Sequence, residues 1–159
     1  MYETVIWATD GSEGADLALR EALRLAETGA RIVAVHCDQR LYGRTGARPV
    51  LAGAEDLGAE DLGAKISRQV DELKAEGFEI DLDVRHGHRE AADVVAEAAA
   101  GLRADVIVCG TRGHSTLTGA FLGSFTHRLL HIAPCPVLAV GPRSELVAAL
   151  HRSELEHGA

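Results

Sequence analysis

The chain has 159 residues, of which 47% are hydrophobic, and it carries a formal net charge of −8 at pH 7. This length predicts one domain with a sizeable core. The acidic balance argues against non-specific nucleic-acid binding, which needs a basic surface to replace phosphate counterions. No apolar run approaches the roughly 20 residues of a membrane span. Because the residues after Met1 enter a strand pattern with no basic leader, we expect a cytoplasmic protein without membrane association.

The first forty residues predict a strand, a helix and a second strand. Residues 5–8 form a short continuous apolar run, which is typical of a buried central strand. Alanine and leucine then recur at helical spacing over residues 13–27, and Gly29 ends that helix. Residues 30–37 predict the second buried strand, so the segment is a βαβ unit.

Residues 38–63 interrupt this pattern. Glycines and a proline break any regular periodicity there, and residues 54–58 are repeated directly as residues 59–63. A five-residue period matches neither helix nor strand, so we interpret 38–63 as a flexible surface insert. The repeat either frays or forms the first turns of the next helix.

The remainder of the chain continues the alternation of helices and strands. One strand alternates polar and apolar residues strictly, which predicts a position near the sheet edge. The expected elements, in order, are a helix over 66–75 ended by Gly77, the alternating strand over 78–85, a helix over 90–100 stopped by Gly101, a strand over 104–109, a short helix over 124–132, a strand over 137–140 and a polar tail over 143–159.

This order of elements predicts a single α/β domain over residues 1–142. Its core is a doubly wound, five-stranded, mostly parallel sheet with helices on both faces. Such sheets bind ligands at the carboxyl ends of their strands, where the strand order reverses. If the first and fourth strands are neighbours at that point, Asp10 and Gly110 face each other across one crevice. Asp10 can accept from ribose hydroxyls or hold Mg²⁺ through water, and Asp10 or Ser12 can also cap the first helix.

The most informative motif is Gly110-x2-Gly113-x9-Gly123-Ser124, which joins the fourth strand to the short helix. Glycines let backbone N–H groups approach an anion, and a helix N-terminus adds unpaired donors and a positive dipole end. We expect Ser124 to act as the N-cap of that helix and as a phosphate ligand. Arg112 fits a phosphate contact and a solvated loop position equally well. The motif therefore predicts a cradle for nucleotide phosphates.

With these features in place, the chain resembles the ATP-binding branch of the universal stress protein family. The resemblance rests on the strand and turn over 5–12, on Val35-His36-Cys37, on the glycine spacing, and on the closing segment 134–140. It covers residues 2–141. It implies a sheet with strand order 3-2-1-4-5, a homodimer that pairs through the last strand (136–140), and a regulatory role in stress physiology rather than a defined reaction.

The resemblance also implies bound ATP, often with Mg²⁺ held by the phosphates near Asp10, and no other metal. By position, Asp10 would contact the adenosine and the main chain at Cys37 the adenine edge. The residues around the ribose and phosphates would be Gly110, Arg112, Gly113, Gly123, Ser124 and Phe125. Phe125 departs from the family, which usually has a small or β-branched residue there. A ring turned inward would crowd the phosphates.

Two other functions remain open from the sequence. A slow ATPase or phosphotransferase needs a base or a water-positioning residue, and only Asp10 and His114 are candidates. A dimeric scaffold that no longer binds nucleotide is the other. The sequence contains no converging catalytic set.

Histidine and cysteine positions add little to these alternatives. His127 and His131 have the four-residue spacing of a metal-binding helix face, but surface or interface histidines are favoured over zinc ligands. His86 and His88 are interpreted as exposed turn residues. The three cysteines, Cys37, Cys109 and Cys135, are expected to be reduced thiols.

Overall fold

The computed structural model describes residues 1–27, 29–38, 56–86, 89–111 and 122–141, with residues 56–61 described by their backbone alone. Four helices and five strands alternate along these segments. They are β1 (Thr4–Ala8), α1 (Glu13–Ala26), β2 (Arg31–Asp38), α2 (Asp56–Ala75), β3 (Ile80–His86), α3 (Ala91–Leu102), β4 (Val106–Gly110), α4 (Ser124–Ile132) and β5 (Val137–Val140).

The five strands form one parallel sheet in the order β3-β2-β1-β4-β5. This confirms the predicted fold class and strand order. The chain order reverses at β1, which has β2 on one side and β4 on the other. The alternating strand β3 is at one edge of the sheet, as predicted, and β5 is at the other. Among the described residues, no helix is both long and apolar enough to cross a membrane.

Each face of the sheet is covered by two helices. The two-residue period of β1 sends Val5 and Trp7 to the face under α1 and α2, and sends Ile6 to the face under α3 and α4. Both faces of β1 are covered, and the strand is apolar and buried from Val5 to Ala8. Trp7 is fully buried, and its indole Nε1 donates to the carbonyl of Ala15 in α1 at 2.9 Å. The central strand is thereby joined to the first turn of the first helix.

The helix ends agree with the sequence in part. Gly29 and Gly77 follow α1 and α2 with φ of +92° and +98°, a left-handed conformation that glycine adopts readily. The predicted stop at Gly101 is wrong, because α3 continues to Leu102. Arg103 takes the left-handed position instead, at φ 51°. The N–H of the buried Ala104 then bonds to the carbonyl of Ala99, so a Schellman motif ends the helix.

The second helix begins at Asp56, within the repeated segment. Of the two alternatives for that repeat, residues 56–63 therefore take the helical one and form the first turns of α2. Residues 39–55 of the predicted insert and the predicted tail over 143–159 lie outside the described residues. The three cysteines are reduced thiols, as expected.

Candidate functional site

A cavity of about 320 Å³ lies at the carboxyl ends of β1, β2 and β4, where the strand order reverses. This is the crevice that the sequence predicts. Six of the eight residues assigned to ligand contacts line it, namely Asp10, Cys37, Gly110, Gly123, Ser124 and Phe125. The other two, Arg112 and Gly113, lie outside the described residues, as does His114. The volume is at the lower end of the range for small-molecule sites.

The β1–α1 turn borders the cavity and is closed by its own hydrogen bonds. Gly11 has φ of +77°, and its N–H donates to the hydroxyl of Thr9 at 3.2 Å. The carboxylate Oδ1 of Asp10 accepts from the N–H of Ser12 at 3.0 Å. Ser12 in turn caps α1, because its Oγ accepts from the N–H of Ala15 at 3.3 Å. Asp10 is therefore fixed in the wall of the cavity by a bond that orders the turn.

Helix α2 holds this turn through residues that do not line the cavity. The Nζ of Lys65 donates to the carbonyl of Gly11 at 2.9 Å and to Oδ2 of Asp16 at 2.6 Å. Gln69 donates to the other oxygen of Asp16 at 2.9 Å. The side chain of Leu62 lies so close to Gly11 that a Cβ there would stand 2.9 Å from its Cδ2. Sequence reasoning missed Lys65, since Gly11 and Asp16 are about fifty residues away along the chain.

The β4–α4 connection forms the opposite wall. The hydroxyl of Thr126 donates to the carbonyl of Gly110 at 2.9 Å, and the N–H of Gly123 donates to the carbonyl of Thr111 at 2.9 Å. Gly110 is also a point of close approach, because a Cβ there would stand 2.6 Å from the carbonyl oxygen of Gly14 in α1. The glycine thus lets the starts of α1 and α4 converge on one strand end.

Helix α4 presents its open N-terminus to the cavity. Gly123 is the N-cap residue, with φ −60° and ψ 152°, and no side chain caps it. The N–H of His127 bonds to the carbonyl of Gly123, so the first turn closes on the glycine and Ser124 is the first helical residue. The predicted N-cap role of Ser124 is therefore wrong. Within the described part of the chain, the N–H groups of Ser124, Phe125 and Thr126 have no acceptor.

Phe125 and Thr126 complete the floor of the cavity. The Phe125 ring is half-buried and packs against the apolar cluster under α3 and α4, while the residue also borders the cavity. Thr126 is 1% exposed and was missed by sequence reasoning, because a threonine in an amphipathic helix carries no signal of burial. Burial raises the pKa of the neighbouring Cys109 thiol to about 11, against the opposing effect of its hydrogen bond with Thr126. Cys109 is thus a neutral thiol at physiological pH.

The cavity lining combines apolar and polar residues. Ala8, Val35 and Val95 are among the apolar ones. Among the described lining residues, Asp10 is the only carboxylate. No group of three or more His, Cys, Asp or Glu suited to holding a metal ion occurs in the described segments. The arrangement is suited to an uncharged ring in the interior and an anion at the start of α4.

The sheet order and the cavity at its reversal point define a doubly wound α/β protein. The sequence model of the universal stress protein family matches residues 1–141. The chain belongs to this family. It is 32% identical over 148 residues to the universal stress protein in the QAH/OAS sulfhydrylase 3′ region of Thermus aquaticus. The alignment covers 88% of this chain and 99% of the relative.

Solved structures of the family have the same fold. A universal stress protein in complex with cAMP is 26% identical and superposes with a TM-score of 0.62 over 87% of this chain and 96% of its own. The universal stress protein of Archaeoglobus fulgidus in complex with dAMP is 24% identical, with a TM-score of 0.61 over 87% of this chain and 97% of its own. At 24% identity, this second similarity is evidence for the shared fold alone.

Proposed function

We propose that the protein binds ATP in the cavity at the ends of β1, β2 and β4, and acts as a cytoplasmic, homodimeric regulator in a stress response. The observation that carries this proposal is the uncapped start of α4, whose first three N–H groups border the cavity beside the end of β4. Unpaired helix N-terminal donors and the positive dipole end bind phosphate. Family membership and a relative solved with cAMP support an adenine nucleotide.

The two walls of the cavity suggest the orientation of the ligand. The phosphates would lie at Gly123, Ser124 and Phe125, with Arg112 and Gly113 contributing from the connecting loop. The adenosine would lie toward Asp10 and the end of β2, with the adenine edge at the main chain of Cys37. Mg²⁺ would be held by the phosphates, near the Asp10 carboxylate. The homodimer would pair through β5, which is an edge strand of the sheet with Leu138 exposed.

Two half-buried cysteines provide a test within one molecule. Cys37 lines the cavity, whereas Cys135 precedes β5 and packs against the apolar cluster under α3 and α4. We expect saturating ATP to slow alkylation of Cys37 several-fold, and to leave the alkylation of Cys135 unchanged. Site-resolved mass spectrometry of the native protein measures both rates in one sample. Equal alkylation rates at Cys37 with and without ATP would contradict binding in this cavity.

The phosphate part of the proposal has a separate test. At a concentration of 100 Kd, a ligand that binds only the folded state stabilises it by about 2.7 kcal/mol. We expect ATP to raise the melting temperature at concentrations where adenosine has little effect, because adenosine lacks the groups that α4 would bind. Repeating the comparison with EDTA reports the contribution of Mg²⁺. If neither ligand changes the melting temperature, the nucleotide-free scaffold is the better description.

A further inference from the structure

A second polar feature lies on the outer face of α4, away from the cavity. His127 and His131 are one helical turn apart, and both side chains are exposed. Their ring centres are 4.8 Å apart, in an edge-to-face arrangement with an interplanar angle of 64°. The four-residue spacing alone did not distinguish a ligand pair from two surface histidines. The contact between the rings is the additional observation.

Nothing else in the described segments competes for these rings. Neither the His127 ring nor the His131 ring makes a hydrogen bond or an ion pair with another described residue. Arg128, which follows His127 directly, is turned toward α3. Its guanidinium makes three hydrogen bonds to the Asp93 carboxylate, at 2.8, 2.9 and 3.2 Å. The nearest cationic side chain in the sequence is therefore neutralised on another face of the helix.

We propose that His127 and His131 form a two-histidine site for a divalent transition-metal cation. Imidazole suits Zn²⁺, Cu²⁺ and Ni²⁺. Two imidazole nitrogens bound to one tetrahedral ion stand about 3.4 Å apart, given metal–nitrogen distances of about 2.0–2.1 Å. Rings in contact on one helix face can bring one nitrogen each to that separation by rotation about their side-chain torsions. The site is separate from the proposed nucleotide site and does not depend on it.

The ligand set defines what kind of site this is. Two protein ligands leave the other coordination positions to water, so the site is open and reversible, unlike a structural zinc site with four protein ligands. The residues between the histidines are Arg128, Leu129 and Leu130, so the helix lacks the glutamate base of zinc hydrolases. We therefore expect the bound metal to stabilise helix α4 and not to catalyse a reaction. It joins the first and last turns of a nine-residue helix, a length that is not stable without packing.

The test is calorimetric titration of untagged, nucleotide-free protein with Zn²⁺ and with Ni²⁺. Because the second histidine binds intramolecularly, we expect His127→Gln or His131→Gln to weaken binding by about tenfold or more. The double variant His131→Gln/Ile132→His keeps the number of histidines but changes the spacing to five residues. Five residues turn about 140° away around the helix, so this matched control should bind as weakly as His131→Gln. His86→Gln should bind as the wild type does.

A second readout locates the metal. In NMR spectra, we expect substoichiometric Zn²⁺ to shift the imidazole signals of His127 and His131 together, and EDTA to reverse the shift. Equal affinity in the wild type and both glutamine variants would overturn the proposal. So would loss of binding in His86→Gln, which would assign the metal to the end of β3. Tight binding by the respaced variant would show that the four-residue spacing is irrelevant and would also overturn it.

Discussion

The N-termini of α1 and α4 both border the cavity, but they differ in their caps and in the charges of their first turns. At the start of α1, Ser12 caps the helix and Asp10 orders the cap, while two acidic residues lie in the first turn. At the start of α4, Gly123 provides no side chain and the first turn has no acidic residue. The positive end of α1 is thus compensated within the protein. The positive end of α4 has no such compensation from a side-chain cap or a first-turn carboxylate.

This difference predicts separate roles for the two helix starts, one in the stability of the fold and one in ligand binding, although both are rich in glycine and serine. Substitutions at the start of α1 should act mainly on the stability of the fold. Substitutions at the start of α4 should act mainly on ligand binding, except where a residue also supports the packing between the two helices.

The largest effect is expected at Gly110, where the two helix starts come together. Gly110→Ala places a Cβ 2.6 Å from the carbonyl oxygen of Gly14, so α1 must shift. Overpacking of this kind costs about 1–3 kcal/mol. Urea unfolding measures the loss. The matched control is Gly101→Ala inside α3, where no described atom outside the local helix backbone and the two neighbouring residues lies within 4 Å of the added methyl. It should stabilise the fold by about 0.5–1 kcal/mol. Equal effects of the two substitutions would contradict the close approach.

Thr126 supports the α4 wall through its hydroxyl. Thr126→Val preserves shape but leaves the half-buried carbonyl of Gly110 without this donor. Losing a hydrogen bond of this kind costs about 0.5–1.5 kcal/mol. Thr126→Ser retains the hydroxyl and should recover much of the lost free energy of unfolding. If the serine variant is no more stable than the valine variant, the hydrogen bond does not support the wall.

The two serines compare the helix starts directly. Ser12→Ala removes the side-chain cap of α1 and should destabilise the protein by about 1 kcal/mol. Ser124→Ala removes no cap, and its effect should lie within about 0.5 kcal/mol of zero. Both free energies of unfolding are measured without nucleotide. A loss at Ser124 as large as that at Ser12 would show that α4 is capped after all.

The smallest effect concerns pH, at the amino ends of the strands. Asp105 Oδ2 accepts from the N–H groups of Glu3 and Thr4 at 2.8 and 2.9 Å, which joins β1 to β4. These two bonds lower the pKa of Asp105 below its ordinary value of 3.8. The stabilising effect of the ionised Asp105 carboxylate is therefore complete above pH 3.8 and is lost as the pH falls through the lowered pKa.

Accordingly, Asp105→Asn should be less stable than the wild type near pH 6, and the difference should shrink below pH 3.8. Unfolding curves across that range check the sign. A difference that grows as the pH falls would contradict the lowered pKa of Asp105.

Local chemistry was enough to predict much of this site. The glycine spacing and the Asp10 turn placed both walls at the strand ends. Local residues limited the cap of α1 to Ser12 or Asp10, and Ser12 is the N-cap in the structure. The strand order came from the family resemblance. The N-cap of α4 was wrong by one residue, because a long-range bond from Gly123 to Thr111 sets where that helix begins.

The features that the sequence did not predict depend on tertiary contacts. Lys65 supports the Gly11 turn from another helix, and no local pattern connects the two. The end of α3 depends on how Ala104 is buried, which outweighs the preference for glycine at Gly101. The partner of the Gly11 turn is about fifty residues away along the chain, and the burial of Ala104 depends on the core, so local helix and turn signals predict neither.

The bond between Trp7 and Ala15 gives the protein an intrinsic optical reporter. The chain has one tryptophan, so all of its indole fluorescence comes from a ring under the first turn of α1. Ala15, which accepts the indole hydrogen bond, also lines the cavity. A movement of that turn changes the electrostatic surroundings of the ring and therefore its emission. Events at the cavity can thus be followed in real time on the unlabelled protein.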